Sequence, residues 1–268
     1  MRFSIVTPSF NQGEFIERTL LSVRCQSAPG VVVDHYIADG GSTDDTLDVL
    51  RRHEGIAWVS EPDGGQADAV NKAILATQGD IIGWLNSDDV YYPGALAVVA
   101  GFFAVNPEVD VVYGMADWID VQDRPIGAYP TQAWNLDRLM TECFICQPAL
   151  FFRRRVVERH GLLDASLQYC MDYEYWLRLG RSGAKFAYLE RRLAGSRMYA
   201  ENKTLGARVA VHREIIEMFK RGHGRVPFRW LINYAHAVAD GRQSRSERPL
   251  AWQVELAVWA IWAGFRWD

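Results

Sequence analysis

The first hundred or so residues alternate strand and helix signals, and that alternation narrows the fold more than any other feature of the chain. Phe3-Val6 reads as a strand, about Glu14 to Gln26 as a helix with Phe15, Ile16, Leu20, Leu21 and Val23 on one face, and Val31-Ala38 as a second strand. Asp39-Gly40-Gly41-Ser42 closes that strand, with Ser42 placed as a helix N-cap and Asp45 in the first turn that follows. Ala57-Val59, a helix over 67–76, Ile81-Leu85, a helix opened by Pro93 at its first position, and Val109-Tyr113 continue the series. A βαβαβα order of this kind predicts a mostly parallel sheet with helices on both faces. Such sheets bind ligands at the carboxyl ends of their strands.

The predicted strand ends carry unusual residues for simple turns. The fourth ends in Asn86-Ser87-Asp88-Asp89, the second in Asp39, and the first in Thr7-Pro8-Ser9-Phe10. A single Asp there needs nothing beyond an Asx-turn or a helix start. Two adjacent carboxylates repel each other, and a hard cation holding a phosphate-bearing ligand accounts for the pair. The sequence lacks a GxGxxG after the first strand, where TPSFNQG stands instead, and lacks a GxxxxGK[ST] loop, so dinucleotide-binding and P-loop chemistry are set aside. No aspartate pair follows the first strand, as a haloacid-type phosphatase would require.

Beyond Tyr113 the alternation weakens. Trp118 to Leu136 reads as a loop with Pro125 and Pro130, Ala149-Phe152 and Lys185-Leu189 as short strands, and Asp172-Leu179 as a helix. A further helix runs from about residue 205 to Phe219, followed by a basic, Trp-rich helical remainder. At 268 residues the chain accommodates one large α/β domain with an appendage. Its net charge of −4 is uneven: residues 205–268 carry ten Lys/Arg against six Asp/Glu, leaving 19 against 27 for residues 1–204. Four scattered cysteines make no disulfide framework, and Cys143-Phe-Ile-Cys146 reads as two small core residues rather than half a zinc site. The amino-terminal MRFSIVTPSF runs into strand without a signal core, and the longest apolar run, Leu256-Phe265, is too short for a bilayer. A cytoplasmic chain is expected, with the inner membrane face as a further location.

Four stretches taken together resemble a family: SIVTPSFNQGEFIERTLLSVRCQ, IADGGSTDDT, SEPDGGQADAVNKAILATQGDIIGWLNSDDVYYPGAL and LDASLQYCMDYEYWLRLGRSG. In order and spacing they are similar to the signatures of the family 2 glycosyltransferases, over about residues 3–204. The resemblance implies a GT-A fold, a Rossmann-like α/β sheet, here with a C-terminal helical extension. It implies a domain at 1–204, with a nucleotide-sugar half at 1–115 and an acceptor half at 116–204, followed by the extension at 205–268. The implied activity is inverting transfer of a sugar from a nucleoside diphosphate donor, UDP-linked by preference, to a glycan or lipid-linked acceptor, as in polysaccharide synthesis.

Residue by residue, the resemblance implies that Pro8, Ser9 and Phe10 line the nucleotide pocket and that Asp39 accepts a hydrogen bond from the base. Gln66, Asp68 and Asn71 flank the donor. Asp88-Asp89 occupy the DXD-type position, where Ser87 replaces the first acid, so Asp88 contacts ribose or sugar and Asp89 ligates Mn²⁺ or Mg²⁺. Asp172 aligns with the catalytic base, and Glu174 competes for that role on residue chemistry alone. Many relatives carry Arg-x-His in a late loop over the diphosphate. Here SRMYAENKT places Tyr199 where His is common, leaving Arg197 and Lys203 as available cations or as part of an ordinary basic surface loop. For the C-terminal helices a packed cap or a homodimer interface stands ahead of a peripheral membrane contact, and nucleic acid is not an expected partner. The alternatives to a transferase are a nucleotide-sugar-forming nucleotidyltransferase and a non-catalytic nucleotide-sugar binding module.

Overall fold

A computed structural model describes residues 1–268 apart from 201, 203–205, 243, 244, 247 and 268. The chain forms two compact units, one of residues 1–136, 144–166 and 171–198, the other of 137–143, 167–170 and 199–268.

The first unit opens with the expected alternation: β1 (Arg2–Ser9), α1 (Ile16–Arg24), β2 (Val32–Asp39), α2 (Thr46–Arg52), β3 (Ala57–Ser60), α3 (Gln66–Leu75) and β4 (Ile81–Trp84). It continues with β5 (Val90–Tyr91), α4 (Ala95–Val105), β6 (Val111–Ile119) and β7 (Pro125–Ala128). After α5 (Leu136–Leu139), at the unit boundary, come β8 (Leu150–Arg153), α6 (Arg154–His160), α7 (Met171–Arg181) and β9 (Phe186–Arg197). Among the described residues these strands form one nine-stranded sheet in the order β3-β2-β1-β4-β8-β6-β9-β5, with β7 paired to β6. From β3 to β4 every pairing is parallel. Beyond β4 the sheet is mixed, because β8 lies antiparallel to both β4 and β6 while β9 runs parallel to β6.

Position in the sheet explains the composition of β1. It lies between β2 and β4, and every residue from Phe3 to Ser9 is buried. A strand covered on both faces needs a nearly continuous apolar run instead of alternation. One core gathers Phe3, Ile5, Ile81, Leu85, Leu96, Val99, Phe103 and Phe151, and a second gathers Ile16, Leu20, Ile37, Val49 and Leu50. Gly83 leaves room over β4 for three side chains: a Cβ there would lie 2.7 Å from the Tyr91 hydroxyl and 2.8 Å from Ile5 and Phe151.

Several local expectations are corrected. Ser42 does not cap α2, since its hydroxyl donates to Asp39 and its neighbours place the helix start at Thr46. Pro93 does not open α4, because Gly94 at φ +80° interrupts the helical conformation before Ala95. Trp118-Leu136 is not all loop: β6 extends through Trp118 to Ile119 and pairs with β7. Pro125 is tolerated there on an edge strand. The short strand expected at Lys185-Leu189 is the start of the 12-residue β9, which bulges against β6 at Gly114-Met115 and continues to Arg197.

The second unit contains α8 (Arg208–His223), α9 (Phe228–Arg242) and α10 (Pro249–Trp267). Gly224, at φ +73°, ends α8 in the left-handed conformation common just past a helix. The short segments belong to these helices: Glu214 of α8 accepts from the amides of Gln168, Tyr169 and Cys170 at 2.7–2.8 Å. Trp230 of α9 donates to the Met140 carbonyl, and Arg229 pairs with Glu142 at 2.7 Å.

Candidate active site

The parallel strands bring their carboxyl ends to one rim. Ser9 pairs with Asp39, Asp39 with Ser60, and the Leu85 amide donates to the Val6 carbonyl. At the end of β1, Pro8 is buried and Phe10 is 59% exposed. The Ser9 hydroxyl is buried and has no hydrogen-bond partner among the described residues. Water or a ligand group normally satisfies such an atom. Asn11 follows at φ +51° and locks the first loop to the second: its amide donates to Ser42 Oγ, and its side-chain oxygen accepts from the Thr43 amide. The amide of Gln12 donates to Thr46 Oγ1, and that of Gly13 to Asp44.

Asp39 is buried at the end of β2. Its Oδ2 accepts from the Gly41 amide, the Ser42 amide and Ser60 Oγ at 3.1, 2.9 and 2.7 Å, and its Oδ1 from Ser42 Oγ.

The β4 end is held from four directions. Thr19 Oγ1 of α1 is shared between the carbonyls of Ser87 and Asp89 at 2.9 and 2.8 Å. Asn86 accepts from Gln66 Nε2 and Trp84 Nε1, both at 2.8 Å, and donates to Gln147 Oε1 at 2.9 Å. Gln66, singled out from sequence as flanking a donor, therefore touches this turn directly. Arg197, at the end of β9, donates through its amide to Asp89 Oδ1 at 2.9 Å and through Nε to the Asp88 carbonyl at 2.7 Å. Its guanidinium also meets the Asp120 carbonyl and Asp123 and lies over the Phe15 ring at 4.8 Å. Its side chain is wholly buried. Arg197 therefore does not belong to a basic surface loop; it is a bracket for the acidic turn. Lys203 lies outside the described residues.

The two acids of the turn differ in surroundings. Asp89 is 3% exposed, and Asp88 is half-buried. Burial, then the neighbouring charge of Asp88, push the Asp89 carboxyl well above its ordinary range, against the opposing pull of the Arg197 amide and guanidinium and the Asn86 amide.

The other acids and amides singled out from sequence belong to the same unit. Asp68 accepts from the Gly64 amide at 3.0 Å and meets Lys72 at 3.3 Å, and the Gly64 amide, ahead of Lys72, holds its carboxyl below the usual value. Asn71 binds both backbone groups of Leu163, at 2.9 and 3.0 Å, and so fixes the segment after α6. Asp172 is the second residue of α7 and accepts from the Tyr173 amide at 2.7 Å. That helix packs on β8 through Tyr175 and Trp176, whose rings meet Phe152. Glu174 is engaged by Arg178 in a two-point ion pair of 2.8 and 3.0 Å. The i,i+4 pairing separates it chemically from Asp172.

Sequence reasoning did not anticipate Asn11, Thr19, Asn86 or Gln147 as site supports. Asn86 stood in the motif, but its four-way bonding depends on residues 20 and 61 positions away.

Comparison with known proteins agrees with this architecture. The family model described as glycosyl transferase family 2 matches residues 4–161. The chain belongs to glycosyltransferase family 2. A relative from Mycobacterium tuberculosis (strain ATCC 25618 / H37Rv), named as an uncharacterized glycosyltransferase, is 33% identical over 180 residues, covering 65% of this chain and 67% of its own. A PGL/p-HBAD biosynthesis glycosyltransferase of Mycobacterium bovis (strain BCG / Pasteur 1173P2) is 30% identical over 182 residues, or 66% and 68% of the two chains. Two solved structures share the fold at 17% identity. S. aureus TarS 1–349 in complex with UDP-GlcNAc superposes with a TM-score of 0.65 over 98% of this chain and 81% of that one. The mannosyltransferase PcManGT from Pyrobaculum calidifontis, in complex with GDP-Man and Mn²⁺, gives 0.66 over 98% and 86%. These are GT-A glycosyltransferases, and the expected family and fold are those found.

Proposed function

We propose that this family 2 glycosyltransferase moves a hexosyl group from a nucleoside diphosphate sugar, UDP-linked, to a hydroxyl of a glycan or lipid-linked acceptor, with inversion at the anomeric carbon. The observation that carries the reading is the clamped Asp88-Asp89 turn, which holds a buried carboxylate beside a second, half-buried acid. It lies on the rim that also bears the unsatisfied Ser9 hydroxyl and the exposed Phe10 ring. The nucleotide sugars named for TarS and PcManGT support the same donor class.

In this reading Phe10 offers a stacking face for the base, and Pro8 and Ser9 line its pocket. Asp39 accepts from the base through Oδ1, which its own loop leaves less occupied than Oδ2. Asp88 takes hydroxyls of ribose or sugar, while Gln66, Asp68 and Asn71 shape the donor side. The turn suits Mn²⁺ or Mg²⁺ held by Asp89. Among the described residues no three His, Cys, Asp or Glu side chains make a complete cage, so diphosphate oxygens and water would fill the shell. When bound, such a cation supplies neutralisation of the charge on the departing diphosphate.

Asp172 takes the proton of the acceptor hydroxyl as that oxygen attacks the anomeric carbon. The bond from this carbon to the diphosphate oxygen breaks on the opposite face, and the diphosphate leaves with the electron pair. A positioned base of this kind contributes about 10²–10⁴-fold. Residues 1–115 serve the donor, 116–204 the acceptor, and 205–268 form the appended helical extension. The test is to incubate the protein with UDP-GlcNAc, UDP-glucose or GDP-mannose, with Mn²⁺ and with chelator. Metal-dependent release of nucleoside diphosphate is expected. Pyrophosphate release would point to a nucleotidyltransferase, and binding without turnover to a binding module.

A further inference from the structure

Helix α10 is apolar on two sides. One side packs within the helical unit, where Trp252, Ala263 and Trp267 are buried and Tyr234 of α9 meets Trp267 at a ring distance of 5.0 Å. The other side carries Leu250, Val254, Val258, Ile261 and Phe265, at steps of four, four, three and four residues, which is one stripe of a helix. All five are exposed, Leu250 at 77% and Phe265 at 90%. The stripe ends in an open apolar hollow of about 540 Å³, where Ile261, Gly264 and Phe265 face Phe228 at the start of α9. A contiguous exposed apolar surface of this kind marks a docking face.

The surrounding charge selects the occupant. Residues 205–268 carry ten Lys/Arg against six Asp/Glu. Arg248 precedes α10, Arg266 follows Phe265, Arg225 lies three residues before Phe228, and all three are exposed. Two of the acids are committed inside the unit: Glu214 to three backbone amides, and Asp240 to Arg208 and Trp252 Nε1. Near the first turn of α10, a cavity of about 420 Å³ is lined by Arg208, Arg245, His212 and His236, with Asp240 as its acid. Two copies meeting through the stripe would bring the exposed Arg225, Arg248 and Arg266 of each together, which opposes self-association. An anionic lipid surface offsets them and accepts the apolar side chains. Among the described residues no helix is long and apolar enough to cross a membrane.

We propose that α10 docks the helical unit on an anionic lipid surface, with the Leu250–Phe265 stripe below the headgroups and the flanking arginines at the level of the phosphates. The proposal concerns this surface alone and stands apart from the donor chemistry. Its test is flotation of the full chain with vesicles of phosphatidylcholine, and of phosphatidylcholine mixed with phosphatidylglycerol. Binding is expected to the mixed vesicles only and to fall as salt rises. The double variant Ile261→Glu, Phe265→Glu should lose binding by about tenfold or more. Val105→Glu, at a comparably exposed apolar position on α4, should retain it. Arg248→Glu with Arg266→Glu should weaken binding and flatten its salt dependence. Circular dichroism and sedimentation equilibrium on each variant report fold and oligomeric state. Absence of flotation, flotation unchanged by the stripe variant, or a dimer that the stripe variant dissociates without any vesicle binding would each overturn the proposal.

Discussion

Two strand ends on the same rim hold a buried aspartate, and their surroundings are unlike. At the end of β2, Asp39 receives four hydrogen bonds from Gly41, Ser42 and Ser60, all within its own loop and the next strand. At the end of β4, Asp89 receives the Arg197 amide and a longer bond of 3.3 Å from Asn86, while Asp88 stands beside it. The Arg197 guanidinium reaches the Asp88 carbonyl, the Asp120 carbonyl and Asp123. A buried acid surrounded by donors organises a loop. One with few donors and a like charge next to it favours its protonated form until a cation arrives to hold the carboxylate. The contrast explains why two aspartates of similar burial are assigned different work.

The largest effect is expected at neither strand end. Asp172→Asn should lower turnover by about 10²–10⁴-fold and leave donor affinity as it was, because only the proton acceptor is lost. Paired measurements of kcat and of donor Kd check this, and equal losses in both would remove Asp172 from the base position. Next comes Asp89→Asn, with turnover down by about 10²–10³-fold. Its unfolding free energy should be unchanged or higher, since the variant removes like-charge repulsion with Asp88 and keeps an acceptor for the Arg197 amide. Asp39→Asn should behave in the opposite sense. Replacing an acceptor surrounded by donors should cost about 1–3 kcal/mol of stability in urea titration. If Asp89→Asn proved the less stable of the two variants, the contrast between the strand ends would fail.

A last test concerns the body of β2. His35 Nε2 lies 2.9 Å from Thr7 Oγ1 of β1, and burial lowers its pKa to about 3. The folded state therefore holds the ring neutral while the unfolded chain protonates it near pH 6.5. Between about pH 6.5 and 3 the unfolded state binds more protons, so this contribution to stability declines as pH falls. Urea titrations at pH 7 and pH 5 should show a smaller loss for His35→Gln than for the unaltered protein. An identical loss in both would mean that His35 protonates as readily in the fold as out of it.

How far the sequence spoke for itself depends on the range of the interactions. The parallel half was legible because its signals are local: the apolar runs of β1 and β4, and the Ile16-Leu20-Val23 spacing of α1, stand within a few residues of one another. The acidic turn was legible because β4 ends where its apolar run ends. The mixed half was not. Val90-Tyr91 becomes a strand only by pairing with Ala194-Gly195, a hundred residues later. Sequence leaves Arg197 open between a site cation and a surface one, because nothing near it reveals that Asp88, Asp120 and Phe15 enclose it. Ser42 suited a helix cap on its local pattern, but its hydroxyl donates to the Asp39 carboxylate instead.

The central claim is that the Asp88-Asp89 turn is the cation and diphosphate site. Its most direct test is a crystal structure of the protein with UDP and Mn²⁺, recorded for manganese anomalous scattering. The account predicts a manganese peak bound by the Asp89 carboxylate and diphosphate oxygens, with the uracil against Phe10 and near Asp39. A peak that leaves Asp89 without a ligand bond, or a nucleotide bound away from the ends of β1 and β4, would contradict it.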